Sequence, residues 1–91
     1  MRFTVTRLCG GKALMAASRD LLDVDLERAG AFISEEGSVK KSDDLMMVAD
    51  WRDMEITIYP QGKVMFHPLS DRDTAVKYAT EILLGSGISG D

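Results

Sequence analysis

The chain has 91 residues, which is enough for one small domain. Hydrophobic residues make up 45% and charged residues 29%, a balance typical of a globular domain, while 11 basic against 15 acidic residues leave a net charge of −4. This charge argues against a basic nucleic-acid arm or an anchor for anionic membranes. The single cysteine excludes an internal disulfide, and the single histidine argues against a His-based zinc site.

The N-terminal residues alternate in polarity and lack the apolar core of a signal peptide. The longest apolar run, residues 45–49, is far shorter than the roughly 20 residues that span a bilayer. We therefore expect a cytoplasmic protein without membrane contact, in which Cys9 stays reduced.

The first part of the chain combines an extended and a helical pattern. Residues 2–9 alternate and are rich in β-branched side chains, which predicts a strand that ends at the glycines after Cys9. Apolar residues then recur at spacings of three and four, which predicts a helix over residues 12–24. That stripe consists of Leu14, Ala17, Leu21 and Val24.

The pattern in the middle of the chain predicts further strands separated by turns. Residues 34–44 form its most polar stretch and predict an exposed connection. Pro60 and Gly62 predict a tight turn between two alternating segments. The predicted strands cover residues 29–33, 45–49, 54–59 and 63–67.

The last segment has the pattern of a capped helix. Ser70 and Asp73 resemble a capping box, and apolar residues from Ala75 to Leu83 follow helical spacing. Gly85 is the predicted stop, and residues 85–91 the predicted flexible tail. Together these patterns predict a single α+β domain over residues 1–84, with the element order β-α-β-β-β-β-α. They predict a five-stranded antiparallel sheet with both helices on one face.

The final third also carries a family resemblance. The segment 58–66, Ile-Tyr-Pro-Gln-Gly-Lys-Val-Met-Phe, precedes a helix that contains Ala-Val-Lys-Tyr-Ala at 75–79. This pattern resembles the half-repeat of TATA-box-binding proteins, and the strand-turn-strand is similar to the N-terminal domain of type-three ribonucleases H. The resemblance implies a curved sheet with both helices on its convex side. Since that family joins two halves in one chain, the resemblance implies that a single half either forms a dimer or uses its open face differently.

The resemblance also assigns expected roles to residues. Tyr59 matches an aromatic residue that wedges between base pairs, while Met65 and His67 match positions that meet the minor groove. Alternation from Tyr59 places Glu55 and Thr57 on the same face. The carboxylate of Glu55 opposes contact with phosphates, because such binding is carried largely by Lys and Arg.

The uncovered face of the sheet is the main candidate for function. Alternation points Ile56, Ile58, Val64 and Phe66 toward the helices and leaves a mixed polar and apolar set on the other side. Such a composition is typical of a contact surface. The predicted open-face residues are Thr4, Thr6, Glu55, Thr57, Tyr59, Met65 and His67.

A second candidate is the glycine turn at Gly10, Gly11 and Lys12. Placed before a helix, its N–H groups and the lysine could hold an anion, although a turn that needs backbone freedom is the simpler interpretation. No nucleophile paired with a base, cofactor loop or set of metal ligands stands out, so we expect no enzyme activity, cofactor or metal.

The function predicted from these features is a non-catalytic binding or assembly module. It would act through the open sheet face and self-associate as a homodimer, through that face or by pairing of edge strands. The alternatives are a nucleic-acid-binding module of the half-repeat type, contact with another protein, and a small-molecule or anion binder at the glycine turn.

Overall fold

The computed structural model describes residues 2–88, which form six strands and two helices. The α+β class, the two helices and the antiparallel sheet are confirmed, whereas the predicted number of five strands is wrong. The strands are β1 (Phe3–Arg7), β2 (Leu14–Ser18), β3 (Ser38–Ser42), β4 (Met47–Trp51), β5 (Met54–Tyr59) and β6 (Lys63–His67), and the helices are α1 (Leu26–Ser34) and α2 (Arg72–Gly85).

One sheet contains all six strands, in the order β1-β2-β6-β5-β4-β3. Every neighbouring pair is antiparallel. The hairpin β1–β2 forms one side, and the meander β3–β6 forms the rest. In the sequence, α1 lies between the hairpin and the meander. The two edges of the sheet, β1 and β3, therefore come from different segments of the chain.

The predicted helix over residues 12–24 is wrong. Its first part is β2, where Leu14 and Ala16 are buried and Met15 and Ala17 point to the opposite face. Leu, Met and Ala favour helices, but pairing with both β1 and β6 outweighs this weak preference. The rest of the segment is a connection in which Leu21 is fully exposed, so the apolar spacing does not mark one face.

The predicted strand at residues 29–33 is also wrong, because this segment lies within α1. Asp25 caps the helix by accepting hydrogen bonds from the N–H groups of Glu27 and Arg28, at 3.0 and 3.3 Å. Ala29 and Ile33, four positions apart, form the buried stripe. With few buried positions in a short helix, the periodic signal was weak.

The polar stretch predicted as a connection over residues 34–44 contains an additional strand, β3. All five of its residues are exposed, so it lacks the alternation that marks a half-buried strand. β4 lies at Met47–Trp51, two residues later than predicted at both ends. The predicted boundaries of β5 and β6 are confirmed.

The final helix is present, with both ends displaced from their predicted positions. Asp71, rather than Ser70, is the N-cap, and its carboxylate accepts hydrogen bonds from the N–H and hydroxyl of Thr74. The helix includes Gly85, where a side chain would overlap the ring of Phe32. Ile88 packs against the core, so the predicted tail does not begin at residue 85; its residues 89–91 lie outside the described part.

The core lies between the sheet and the two helices. Ile56, Ile58, Val64 and Phe66, predicted to face the helices, are each 0% exposed. Buried residues of both helices belong to the same cluster. One face of the sheet is therefore covered, and the alternate strand residues lie on the other face.

An ion-pair cluster joins the β4–β5 turn to α2 and to the connection that follows α1. The guanidinium of Arg52 bonds the carboxylates of Glu36, at 2.8 and 2.9 Å, and of Glu81, at 3.1 and 3.2 Å. It also lies 4.1 Å from the centre of the Trp51 ring and 4.9 Å from that of Tyr78. Hydrogen bonds from Arg52 hold the pKa of Glu36 below its usual value.

These contacts predict loss of stability in acid. The pKa values of Glu36, Asp43 and Asp71 are all lowered in the folded chain, through hydrogen bonds from Arg52, from the backbone of residues 45 and 46, and from Thr74. The unfolded chain therefore binds more protons below about pH 4.3, so the free energy of unfolding falls as the pH falls through the folded-state values. Urea unfolding between pH 6 and 3 measures this slope.

The Glu36→Gln variant provides the control for this pH effect. It removes one titrating carboxyl while keeping an acceptor for Arg52, so its stability should depend less on pH, and the two curves should converge in acid. Equal slopes for both chains would show that this ion pair does not contribute.

Candidate functional site

The open face of the sheet is organised in three rows that run across the strands. The register places residues of all six strands side by side in the middle, and we call this set the central row. Three of its four inner residues are apolar, and its two ends are Thr6 and Lys41. From β1 to β3 the central row consists of Thr6, Met15, Met65, Thr57, Val48 and Lys41.

Two further rows flank the central row, each two residues away along the strands, or three on β3, where the bulge adds a residue. The lysine row lies toward the β5–β6 turn, and the acidic row lies toward the other end of β5. The lysine row consists of Thr4, Ala17, Lys63 and Tyr59. The acidic row consists of Ser38, Asp50, Glu55 and His67.

The structure thus brings all seven predicted open-face residues onto one surface, but they differ in exposure. Glu55 and His67 are exposed, and Tyr59 and Met65 are half-buried. Thr57 is only 4% exposed, because it lies mid-sheet between Val48 and Met65. The prediction that Thr57 forms part of an accessible surface is therefore wrong.

Charges on this face are partly paired. The ammonium of Lys40 lies 3.0 Å from Glu55 and 3.8 Å from Asp50. The hydrogen bond that Lys40 donates to the carboxylate of Glu55, followed by the charge of Asp50, raises the pKa of Lys40. Lys40 reaches this face from a β-bulge between Val39 and Lys41. The acidic row is thus partly neutralised, whereas Lys63 has no salt bridge within the described chain.

Several residues of this face were missed by sequence reasoning. Met15 and Ala17 were assigned to a helix, and no local pattern distinguishes β2 from one. Asp50 is the only polar residue of β4, which could have marked it as accessible, whereas Val48 lies among apolar residues and has no such signal. Lys63 follows from the same alternation that identified Met65 on β6.

The glycine turn has a different setting from the predicted one. Gly10 and Gly11 have φ values of 81° and 69°, which glycine adopts readily, and they form a short 3-10 turn between β1 and β2. No helix follows Lys12, so the helix dipole expected to favour an anion is missing. The carbonyl of Lys12 instead accepts a hydrogen bond of 2.9 Å from the N–H of Leu69.

Two other kinds of feature are absent from the part of the chain that the structure describes. Within residues 2–88, no three His, Cys, Asp or Glu residues lie close enough to hold a metal ion. Neither helix in this part of the chain has the length and apolar character needed to cross a bilayer.

Comparison with known proteins adds no assignment. The chain matches no family model, no curated protein and no solved structure. Inference about its function therefore depends on the geometry of the open face.

Proposed function

We propose that the protein is a non-catalytic assembly module that self-associates through the open face of its sheet. The observation that carries this proposal is the arrangement of the three rows, with an apolar centre between one basic and one acidic flank. A surface of this kind is complementary to a second copy of itself when the basic flank of each copy meets the acidic flank of the other.

A two-fold axis along the central row produces this exchange. It packs the central rows of two copies against each other and places each residue of the lysine row opposite the acidic row of the other copy. Lys63 then lies opposite His67 and one strand away from Glu55. An axis parallel to the strands would instead set each row against itself, so that the two acidic rows would meet and the lysine rows would meet.

The central row supplies apolar area for this contact. Met15 and Met65 are directly opposite each other, and Val48 continues the row beyond Thr57. Unbranched thioether side chains adapt to an opposing surface, which suits a contact between identical rows. Tyr59 adds an amphipathic ring beside the apolar centre.

The size of the face indicates the strength of this contact. Strands about 4.8 Å apart, with about 3.4 Å per residue, give a six-stranded face of roughly 29 by 17 Å. The area of this face is therefore smaller than the roughly 800 Å² that each partner contributes to a standard interface. We therefore expect dissociation constants on the order of micromolar.

Sedimentation velocity over a concentration series tests the proposal. The average mass should rise with concentration above the 10.0 kDa of a single chain. Lys63→Glu should weaken association about tenfold, because its new carboxylate faces the acidic row of the partner. Met65→Asp should weaken it further, since the axis brings two such charges together.

Lys77→Glu is the matched control, because it makes the same charge change at an exposed position of α2. It should leave association unchanged. A wild-type chain that stays monomeric up to millimolar concentration, or equal effects of Lys63→Glu and Lys77→Glu, would contradict the proposal.

The second candidate function is nucleic-acid binding, and one observation favours it. Lys40, Lys41 and Lys63 outnumber the carboxylates of Asp50 and Glu55 on this face, despite the acidic chain as a whole. In the same sedimentation experiment, duplex DNA that displaces the second copy and binds in its place, with strong salt dependence, would favour this function.

A further inference from the structure

The two edges of the sheet differ in how they are protected. β3 forms one edge, and it contains a bulge and two adjacent lysines, Lys40 and Lys41. Bulges and edge lysines discourage pairing with another strand. A two-fold axis at the centre of β3 would also set Lys40 against Lys40 of a second copy.

The edge formed by β1 has none of these features. Its register with β2 is regular from Phe3 to Arg7. Its centre is β-branched, with Thr4, Val5 and Thr6, and it contains no proline or lysine. Within residues 2–88, no strand pairs with its outer side.

Hydrogen bonds at the two ends of this hairpin show which backbone groups point outward. The N–H of Leu8 donates to the carbonyl of Ala13, and the N–H of Arg19 donates to the carbonyl of Arg2, both at 2.9 Å. Hydrogen-bonded pairs alternate along an antiparallel ladder, so the even-numbered residues of β1 bond to β2. The N–H and C=O groups that face the free edge are those of Phe3, Val5 and Arg7.

We propose that β1 pairs with β1 of a second copy, antiparallel, about a two-fold axis at Val5. The outward groups of Val5 then bond those of Val5 in the other copy, and the groups of Phe3 bond those of Arg7. On the open face Thr4 lies opposite Thr6, a favourable cross-strand pair. No two like charges lie directly opposite within this register, and the two sheets become one.

This pairing goes beyond the proposed face contact and is compatible with it. The axis at Val5 is perpendicular to the sheet, whereas the axis of the face contact lies along the central row, within the plane of contact. Because Val5 adjoins Thr6 of the central row, the two axes pass about 3.4 Å apart rather than intersecting, so the two contacts do not close an assembly with 222 symmetry. Used together, they join four chains as two face-to-face dimers linked through one pairing of β1 with β1.

Light scattering of the purified chain and its variants tests the pairing. Arg7→Pro removes an outward N–H without removing a bond to β2, and proline is tolerated at this kind of edge position. Arg7→Ala is the control, because it removes the side chain but keeps the N–H. At high concentration we expect four chains for the wild type and for Arg7→Ala, and two for Arg7→Pro.

A variant of the face contact separates the two proposals. Met65→Asp should leave a dimer joined through β1, and adding Arg7→Pro should give a monomer. Amide exchange gives a direct signature, because the N–H of Val5 should be protected in Met65→Asp and unprotected in the double variant. The near-ultraviolet circular dichroism of Trp51, which is buried, reports that each variant is folded.

The outcomes distinguish failure of either proposal. If Arg7→Pro and Arg7→Ala have the same mass, or if Val5 exchanges freely in the assembled chain, β1 does not pair with a second copy. If only Met65→Asp leaves the mass unchanged, the face contact is wrong and the pairing through β1 stands. If the natural partner of β1 is a strand of another protein, the edge formed by β1 will be unpaired in the pure protein. This outcome also overturns the proposal.

Discussion

Phe66→Asp should abolish the folded state. The side chain of Phe66 is 0% exposed, and its ring lies 6.3 Å from that of Tyr78 in the core. Removing a core phenylalanine costs about 3–5 kcal/mol, and an unpaired buried carboxylate costs several more. A domain of this size has a stability of roughly 5–14 kcal/mol. Circular dichroism and urea unfolding should therefore show a chain that is mostly unfolded.

The neighbouring position provides the comparison. Met65 is half-buried on the open face, so Met65→Asp places its carboxylate where water can reach it. This variant should remain folded and lose only self-association. If both variants unfold to the same extent, the assignment of the two faces is wrong, because the adjacent residues would then be equally enclosed.

The meander was the part of the fold most open to prediction from sequence. Along β5 and β6, Ile56, Ile58, Val64 and Phe66 alternate with residues of different polarity, and Pro60 and Gly62 mark the turn between them. Strict alternation has a single structural interpretation when one face is buried. For this reason the boundaries of both strands and the side of each residue followed from the sequence.

The N-terminal half was harder to predict, because the intrinsic conformational preferences of its residues oppose their tertiary contacts. In β2, small and flexible apolar residues occupy both faces: Leu14 and Ala16 pack in the core, while Met15 and Ala17 lie on the open face. Without polar residues on one side, the period of two is not visible. Pairing with β6, about fifty residues away, decides the conformation, and no local pattern reports it.

The candidate site, like the fold, could be predicted from the sequence only in part. Tyr59, Met65 and His67 could be placed on one face because they belong to the regular hairpin. The complementarity of the rows could not be predicted, since it depends on the order of the strands and on Lys40 reaching Glu55 from a bulge. Register between strands that are distant in sequence is set by the assembled sheet rather than by any one segment.

Gly37→Ala should cost about 3 kcal/mol or more in the free energy of unfolding. Gly37 joins α1 to β3, and its N–H donates to the carbonyl of Ile33 at 2.7 Å. A Cβ at this position would overlap the carbonyl oxygen of Asp50 and lie 3.2 Å from the Cα of Trp51. Both are backbone atoms, so relief requires β4 to move away from a helix that it packs against, rather than a change of rotamer.

Gly10→Ala separates this steric effect from the conformational cost of replacing glycine. Gly10 has a φ of 81°, but a Cβ there would meet nothing within 4 Å, so the variant should lose only about 1 kcal/mol through backbone strain. Urea unfolding followed by the fluorescence of Trp51, the single tryptophan, measures both changes on one scale. If Gly37→Ala is no more destabilising than Gly10→Ala, then the connection between α1 and β3 does not approach β4 as closely at Gly37 as the structure shows, and the start of β3 must be able to shift without disturbing the core.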